Sequence, residues 1–92
     1  MKRLAPDIKA ALERARDEIV AAHRDDPNFS GAGIGFRFRR GKWTDEPVVT
    51  AFVVTKQREV LVPPEHLLPE SVDIDGKPWG VDVMQAGPFT LY

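Results

Sequence analysis

Between Gly31 and Thr55 this 92-residue chain carries the pattern that most limits its fold. Ala32, Ile34, Phe36 and Phe38 alternate with Gly33, Gly35, Arg37 and Arg39. That is the period of two that sends successive side chains to opposite faces of a strand. A polar stretch follows, from Arg40 to Pro47, and its Gly and Pro mark a hairpin loop. Val48 to Thr55 is then β-branched and apolar on both faces, as in a central strand. The glycines also invite a phosphate-loop reading. Such a loop needs a strand before it and a helix after it, so that a helix N-terminus meets the phosphate. Here a helical pattern precedes, a strand follows, and no Gly-Lys-Ser/Thr ending occurs. The stretch therefore reads as a hairpin whose first strand is bare at Gly33 and Gly35, where something packs too closely for a side chain.

The segment from about Pro6 to Arg24 reads as one helix. Ile8, Leu12, Ala15, Ile19 and Ala22 fall on one stripe. Lys9–Glu13 and Arg14–Glu18 are spaced as i,i+4 pairs, and Pro6 suits the first turn. Asp25-Asp-Pro-Asn28 ends the helix. After Thr55 the chain returns to polar residues. A loop from Val60 to Pro69 follows, pinned by three prolines, with one helical turn expected at Pro64–Leu68. Ser71 to Ile74 alternates, Asp75-Gly76 is a two-residue turn signal, and Pro78 to Met84 alternates again. Val72, Ile74, Val81 and Val83 are the expected buried face, with Asp73 and Asp82 toward water. The expected fold is α+β. One N-terminal helix (about 6–24) packs on a four-stranded antiparallel sheet made of two hairpins, with strands at about 32–39, 48–55, 71–75 and 78–84.

The length fits a single domain over residues 1–92. A net charge of −1 gives no overall field toward nucleic acid or an anionic membrane. The absence of cysteine excludes disulfides, thiolate catalysis and Cys-based metal sites. The basic start is not followed by the apolar run of a signal peptide, and no segment reaches the ~20 apolar residues of a membrane span, so a cytoplasmic address is expected. The tail from Ala86 ends apolar, at Phe89, Leu91 and Tyr92, which suits a tail that docks or a longer parent chain.

The pattern offers little to chemistry. His23 and His66 are the two histidines, Ser30 and Ser71 the two serines. Ser30 is read in a turn and Ser71 at the start of a strand, and neither has a nucleophile elbow around it. His23 is expected as a cation at the helix C-terminus, favoured by the dipole. His66, beside Glu65, is read with Asp73 or Asp82 as a weak site at best. No spacing of ligands suggests a metal. Arg37, Arg39, Arg40 and Lys42 with Trp43 form the one basic cluster. Asp45, Glu46 and Glu59 lie close enough in sequence to pair with it.

Several of these segments resemble a known family. Gly33-Ile-Gly35 entering a strand, Thr44-Asp-Glu-Pro-Val-Val-Thr-Ala-Phe-Val-Val-Thr-Lys56, Val62-Pro-Pro-Glu65, Leu68-Pro69, Asp75-Gly-Lys-Pro78 and Val81-Asp-Val83 followed by Gly87 occur in that order. Together, over roughly residues 29 to 88, they resemble the small domain that precedes trypsin-like serine protease domains in many bacterial proteins. Gln57-Arg-Glu59 departs from that pattern, which has a proline soon after the lysine. The resemblance implies an accessory role, contacting proteins or controlling an adjoining protease. It carries over no active-site residue.

The resulting expectation is a non-enzymatic domain with no catalytic, cofactor or metal residue, which binds a protein partner or itself. The expected contact surface is Gly33, Gly35, Arg37, Arg39, Trp43, Pro63, Pro64 and Phe89, and an exposed sheet edge is a further place for a partner strand. The alternative is a small nucleic-acid-binding domain that uses the basic hairpin from Arg37 to Trp43. A hydrolase centred on His66 is the third class.

Overall fold

Helix α1 spans Pro6–His23. Its first turn is capped by no side chain, and Pro6 supplies a residue already set for the helix. The stripe of apolar positions turns slowly around the axis. Leu12, Ala15 and Ile19 are buried, but the fifth inward residue is His23, and Ala22 is exposed. A computed structural model describes residues 4–55, 62 and 66–85. Four strands follow the helix: β1 (Phe29–Arg39), β2 (Lys42–Val53), β3 (Ser71–Ile74) and β4 (Lys77–Gln85). Of the proline-pinned loop, Val62 and residues 66–69 are described.

The sheet departs from the expected antiparallel arrangement. Its order is β1-β2-β4-β3, and β2 runs parallel to β4. Both hairpins form, but they join through their second strands. A parallel join needs a long crossover, and residues 54–70 provide one before β3. Burial explains the choice of neighbour. β4 brings Trp79 and Val81 to the core, whereas the four residues of β3 bring Ile74 and, in part, Val72. The more apolar strand takes the central position and the short one the edge.

The first hairpin is tighter than a loop from Arg40 to Pro47. Its turn is two residues, Arg40 (φ 51°) and Gly41 (φ 76°), the positive-φ pair of the turn whose twist matches a hairpin. Asp75 (φ 52°) and Gly76 (φ 83°) repeat that geometry in the second hairpin. The polar residues after Gly41 therefore belong to β2. They fit because the register shifts: Phe36 stands opposite Pro47, but Phe38 stands opposite Trp43. Thr44 stabilises the extra length. Its Oγ1 donates to the Arg37 carbonyl (2.8 Å) and accepts from the Glu46 N–H (3.2 Å). Pro47, which lacks a ladder donor, sits beside this irregularity, where proline is tolerated.

One core lies between α1 and one face of the sheet. Leu12, Ala15 and Ile19 meet Val49, Ala51, Ile74, Trp79 and Val81, with Ala32, Ile34 and Phe29 packed at the margin. Ala15, fully buried, lets the helix lie close to the strands. The helix charges differ from the expected pairs: Arg14 reaches Asp75 in the β3–β4 turn (2.8 Å), and Arg16 pairs with Asp17 and Glu13. No helix among the described residues is long and apolar enough to cross a membrane.

Candidate functional site

The register assigns each expected contact residue to a face. Ile34, Val49 and Val81 share the core face. Their neighbours, Gly33 with Thr50 and Asp82, and Gly35 with Val48 and Gly80, share the opposite face. The helix is thus not what packs on Gly33 and Gly35. A Cβ at Gly33 would meet the Phe52 ring at 3.7 Å, and one at Gly35 would meet nothing within 4 Å. Pro63, Pro64 and Phe89 lie outside the described residues.

Arg37 extends across this face. Its Nε donates to Glu46 Oε2 (2.9 Å) and its Nη1 to Asp82 Oδ1 (3.2 Å). Asp82 Oδ2 in turn accepts the Phe38 backbone N–H (3.0 Å). Asp82 was expected in water, yet its side chain is 18% exposed and that of Arg37 15%. The guanidinium lies against Gly80, where a Cβ would collide with Nη2. This is why β4 carries glycine at that position. Arg37 is therefore a clamp holding β1 to β4 across β2, its charge met by two carboxylates, and not a cation open to a ligand. The expected pairing with Glu46 is present. Gly80 carries no expectation from the sequence, and Asp82 was expected in water or beside His66 rather than on Arg37, since an arginine forty-five positions away gives no local signal.

The rest of the basic cluster is different. Arg39, Arg40 and Lys42 are exposed and make no ion pair among the described residues. Beside them Trp43 is 66% exposed and Phe38 38%. Phe38, expected on a buried face, lies instead edge-on to Trp43 with ring centroids 4.8 Å apart. The reason is position: it lies past the register shift, on the hairpin's outer end, and is absent from the core cluster. Two exposed rings and three cations with no ion pair among the described residues thus occupy the tip of the β1–β2 hairpin.

A second cluster gathers His23, Asp26 and His66. His23 is 4% exposed and packs against Phe29 at 5.7 Å between centroids. Its Nδ1 is buried and has no hydrogen-bond partner among the described residues. Burial holds its pKa below the usual 6.5, with His66 adding to the effect and Asp26 opposing it. The expected dipole-favoured cation at the helix C-terminus is thus corrected: the imidazole is buried, and burial disfavours its charged form. His66 Nδ1 lies 3.8 Å from Asp26 Oδ1, not beside Asp73 or Asp82. Asp26 Oδ1 is already engaged, accepting the Asn28 N–H (2.9 Å). Ser30 lies within β1 rather than in a turn, Ser71 opens β3 as expected, and neither is hydrogen-bonded to a histidine among the described residues. A surface pocket of about 200 Å³ lies nearby, lined by Glu18, Ile19, Ala22, His23, Pro69 and Val72. No group of three His, Asp or Glu side chains among the described residues is placed to hold a metal ion.

No curated protein matches the chain. A family model does, that of the NARROW LEAF 1 N-terminal domain, over residues 18–84. The match takes in the last third of α1 and all but the last residue of the sheet. It corrects the resemblance drawn from the sequence. The matching family is named for a plant protein, and nothing in the match points to a bacterial trypsin-like protease. Since the match covers well over half of its length, the chain belongs to the NARROW LEAF 1 N-terminal domain family.

Proposed function

We propose that this domain is a non-catalytic protein-interaction module that docks through the tip of its β1–β2 hairpin. The observation that carries the reading is Trp43, 66% exposed, edge-on to Phe38 and flanked by Arg39, Arg40 and Lys42, which have no ion pair among the described residues. Tryptophan and arginine dominate the energetic centres of protein interfaces. Rings held by a two-residue turn also lose little freedom on docking. Three exposed cations on a chain of net charge −1 select an acidic partner surface and steer its approach. Arg37 supports the tip from behind and stays committed to Glu46 and Asp82.

Quantitative affinity capture from the native source tests this, comparing wild type with Trp43→Ala and with a triple Arg39→Glu, Arg40→Glu, Lys42→Glu variant. The expected result is a protein retained by wild type, lost by both variants and weakened by added salt. Equal retention by all three would remove the tip from the interaction. The same residues favour a second reading, since cations interleaved with an exposed ring suit single-stranded nucleic acid. Fluorescence anisotropy with labelled single-stranded DNA and RNA decides it: salt-sensitive binding that the triple variant abolishes would assign the tip to nucleic acid.

A further inference from the structure

β1 is an edge of the sheet, and among the described residues no strand lies on its outer side. Natural edge strands are usually blunted by charge, proline or bulges, because their unpaired N–H and C=O groups accept another strand. Here register shifts fall between Phe29 and Gly31 and between Phe36 and Phe38. Between them Ala32-Gly-Ile-Gly-Phe36 runs regularly, with no charge and no proline. Among the described residues, no hydrogen bond outside the strand ladders reaches this run. Its residues are half-buried at most, although they belong to a long strand.

We infer that this edge pairs with the same edge of a second copy, β1 antiparallel to β1 about a two-fold axis at Ile34. The sequence is self-complementary in that register. On the core face Ile34 meets its own copy, and Ala32 meets the partner's Phe36, small against large. On the other face Gly33 meets the partner's Gly35. Arg37 falls opposite the partner's Gly31, so like charges do not face each other, which would oppose pairing. The contact is isologous and closes on itself, as in most soluble dimers. It also accounts for a feature the single chain leaves unexplained. Glycine weakens a strand relative to alanine, yet a Cβ at Gly35 would meet nothing within 4 Å. Paired side by side, Gly33 and the partner's Gly35 let the two edge backbones approach with no side chain between them on that face. The pairing leaves the two hairpin tips at opposite ends of the joined sheet, so it is independent of tip docking.

Sedimentation equilibrium over a concentration series, with hydrogen exchange on the same samples, tests the inference. Gly33→Lys with Gly35→Lys places introduced lysines opposite one another in both pairs. Gly33→Glu with Gly35→Glu does the same with carboxylates. Neither glycine has a positive φ, and neither lacks room for a Cβ, so both sites accept a side chain. Wild type is expected to dimerise, with amides of residues 32–36 exchanging more slowly as concentration rises. Each double variant is expected to be monomeric, and an equimolar mixture of the two to dimerise. Trp43→Ala should dimerise like wild type, which separates this interface from the tip. A wild type that stays monomeric with concentration-independent exchange overturns the inference. So does a dimer that both variants retain, or a mixture that stays monomeric. Should the variants not fold, wild-type exchange alone decides.

Discussion

Replacing Gly80 with alanine is the sharpest test of the Arg37 clamp. Judged by strand propensity alone, Gly80→Ala should stabilise β4, by about 0.5–1 kcal/mol. The structure reverses that sign. The new Cβ would collide with Arg37 Nη2 and would lie 3.3 Å from both Glu46 Oε2 and Val48 Cγ1. Val48 is fully buried and cannot yield easily, so the guanidinium must leave. Its departure breaks the bond to Asp82 and leaves that carboxylate, 18% exposed, held by the Phe38 N–H alone. A hydrogen bond between charged, largely buried groups contributes about 1.5–3 kcal/mol. Glu46, whose side chain is 52% exposed, adds little, because water screens it. Set against the propensity gain, the net loss is about 1–2 kcal/mol, or a fall in Tm of roughly 5–15 °C for a domain of this size. Circular dichroism melts of wild type, Gly80→Ala, Arg37→Met and the double variant measure it. In the Arg37→Met background the collision is absent, so Gly80→Ala should be neutral or stabilising there. A Gly80→Ala protein as stable as wild type, or equal effects in both backgrounds, would refute the clamp.

Three further outcomes follow from the same geometry. Leu12→Ala, at a fully buried position, should cost about 2–5 kcal/mol in urea unfolding. Arg40→Asn gives the two-residue turn the Asn-Gly pair that its positive φ values favour, and should raise Tm by a few degrees, since an arginine at φ 51° is strained. His23 makes stability depend on pH. Its folded-state pKa lies below the unfolded 6.5, so between those values the unfolded chain binds the additional proton. Stability contributed by the neutral imidazole is present above 6.5 and is lost as pH falls from there toward the folded value. As pH falls across that range the urea midpoint of wild type should drop relative to that of His23→Phe, and parallel curves would show that His23 is not the titrating group.

Much of this architecture is written locally. The helix was legible within one residue of its end, because a 3.6-residue stripe followed by Asp-Asp-Pro permits little else. The turn at Asp75-Gly76 was legible because that dipeptide accepts positive φ at both positions. The turn at Arg40-Gly41 was obscured, since arginine is not a residue that announces a left-handed backbone, and the polar residues after it resembled a loop. For the residues expected to make contacts, exposure was legible only in part. Arg39 and Trp43 emerge at the tip, while Arg37, similar in local pattern, turns inward to partners nine and forty-five positions away.

By itself, the sequence determined the elements of this protein: one amphipathic helix, two hairpins, a central strand apolar on both faces, and no cysteine chemistry. Those follow from backbone preference and hydrophobic period, which act over a few residues. Only the tertiary structure decided that β2 pairs with β4 in parallel, that Gly80 makes room for Arg37, that His23 is buried where its charged form is disfavoured, and that Phe38 and Trp43 stand exposed. The reason is physical. Which strand takes the centre depends on total apolar burial, and which charge is satisfied depends on groups brought together across the sheet, so neither is fixed until the whole chain has closed on its core.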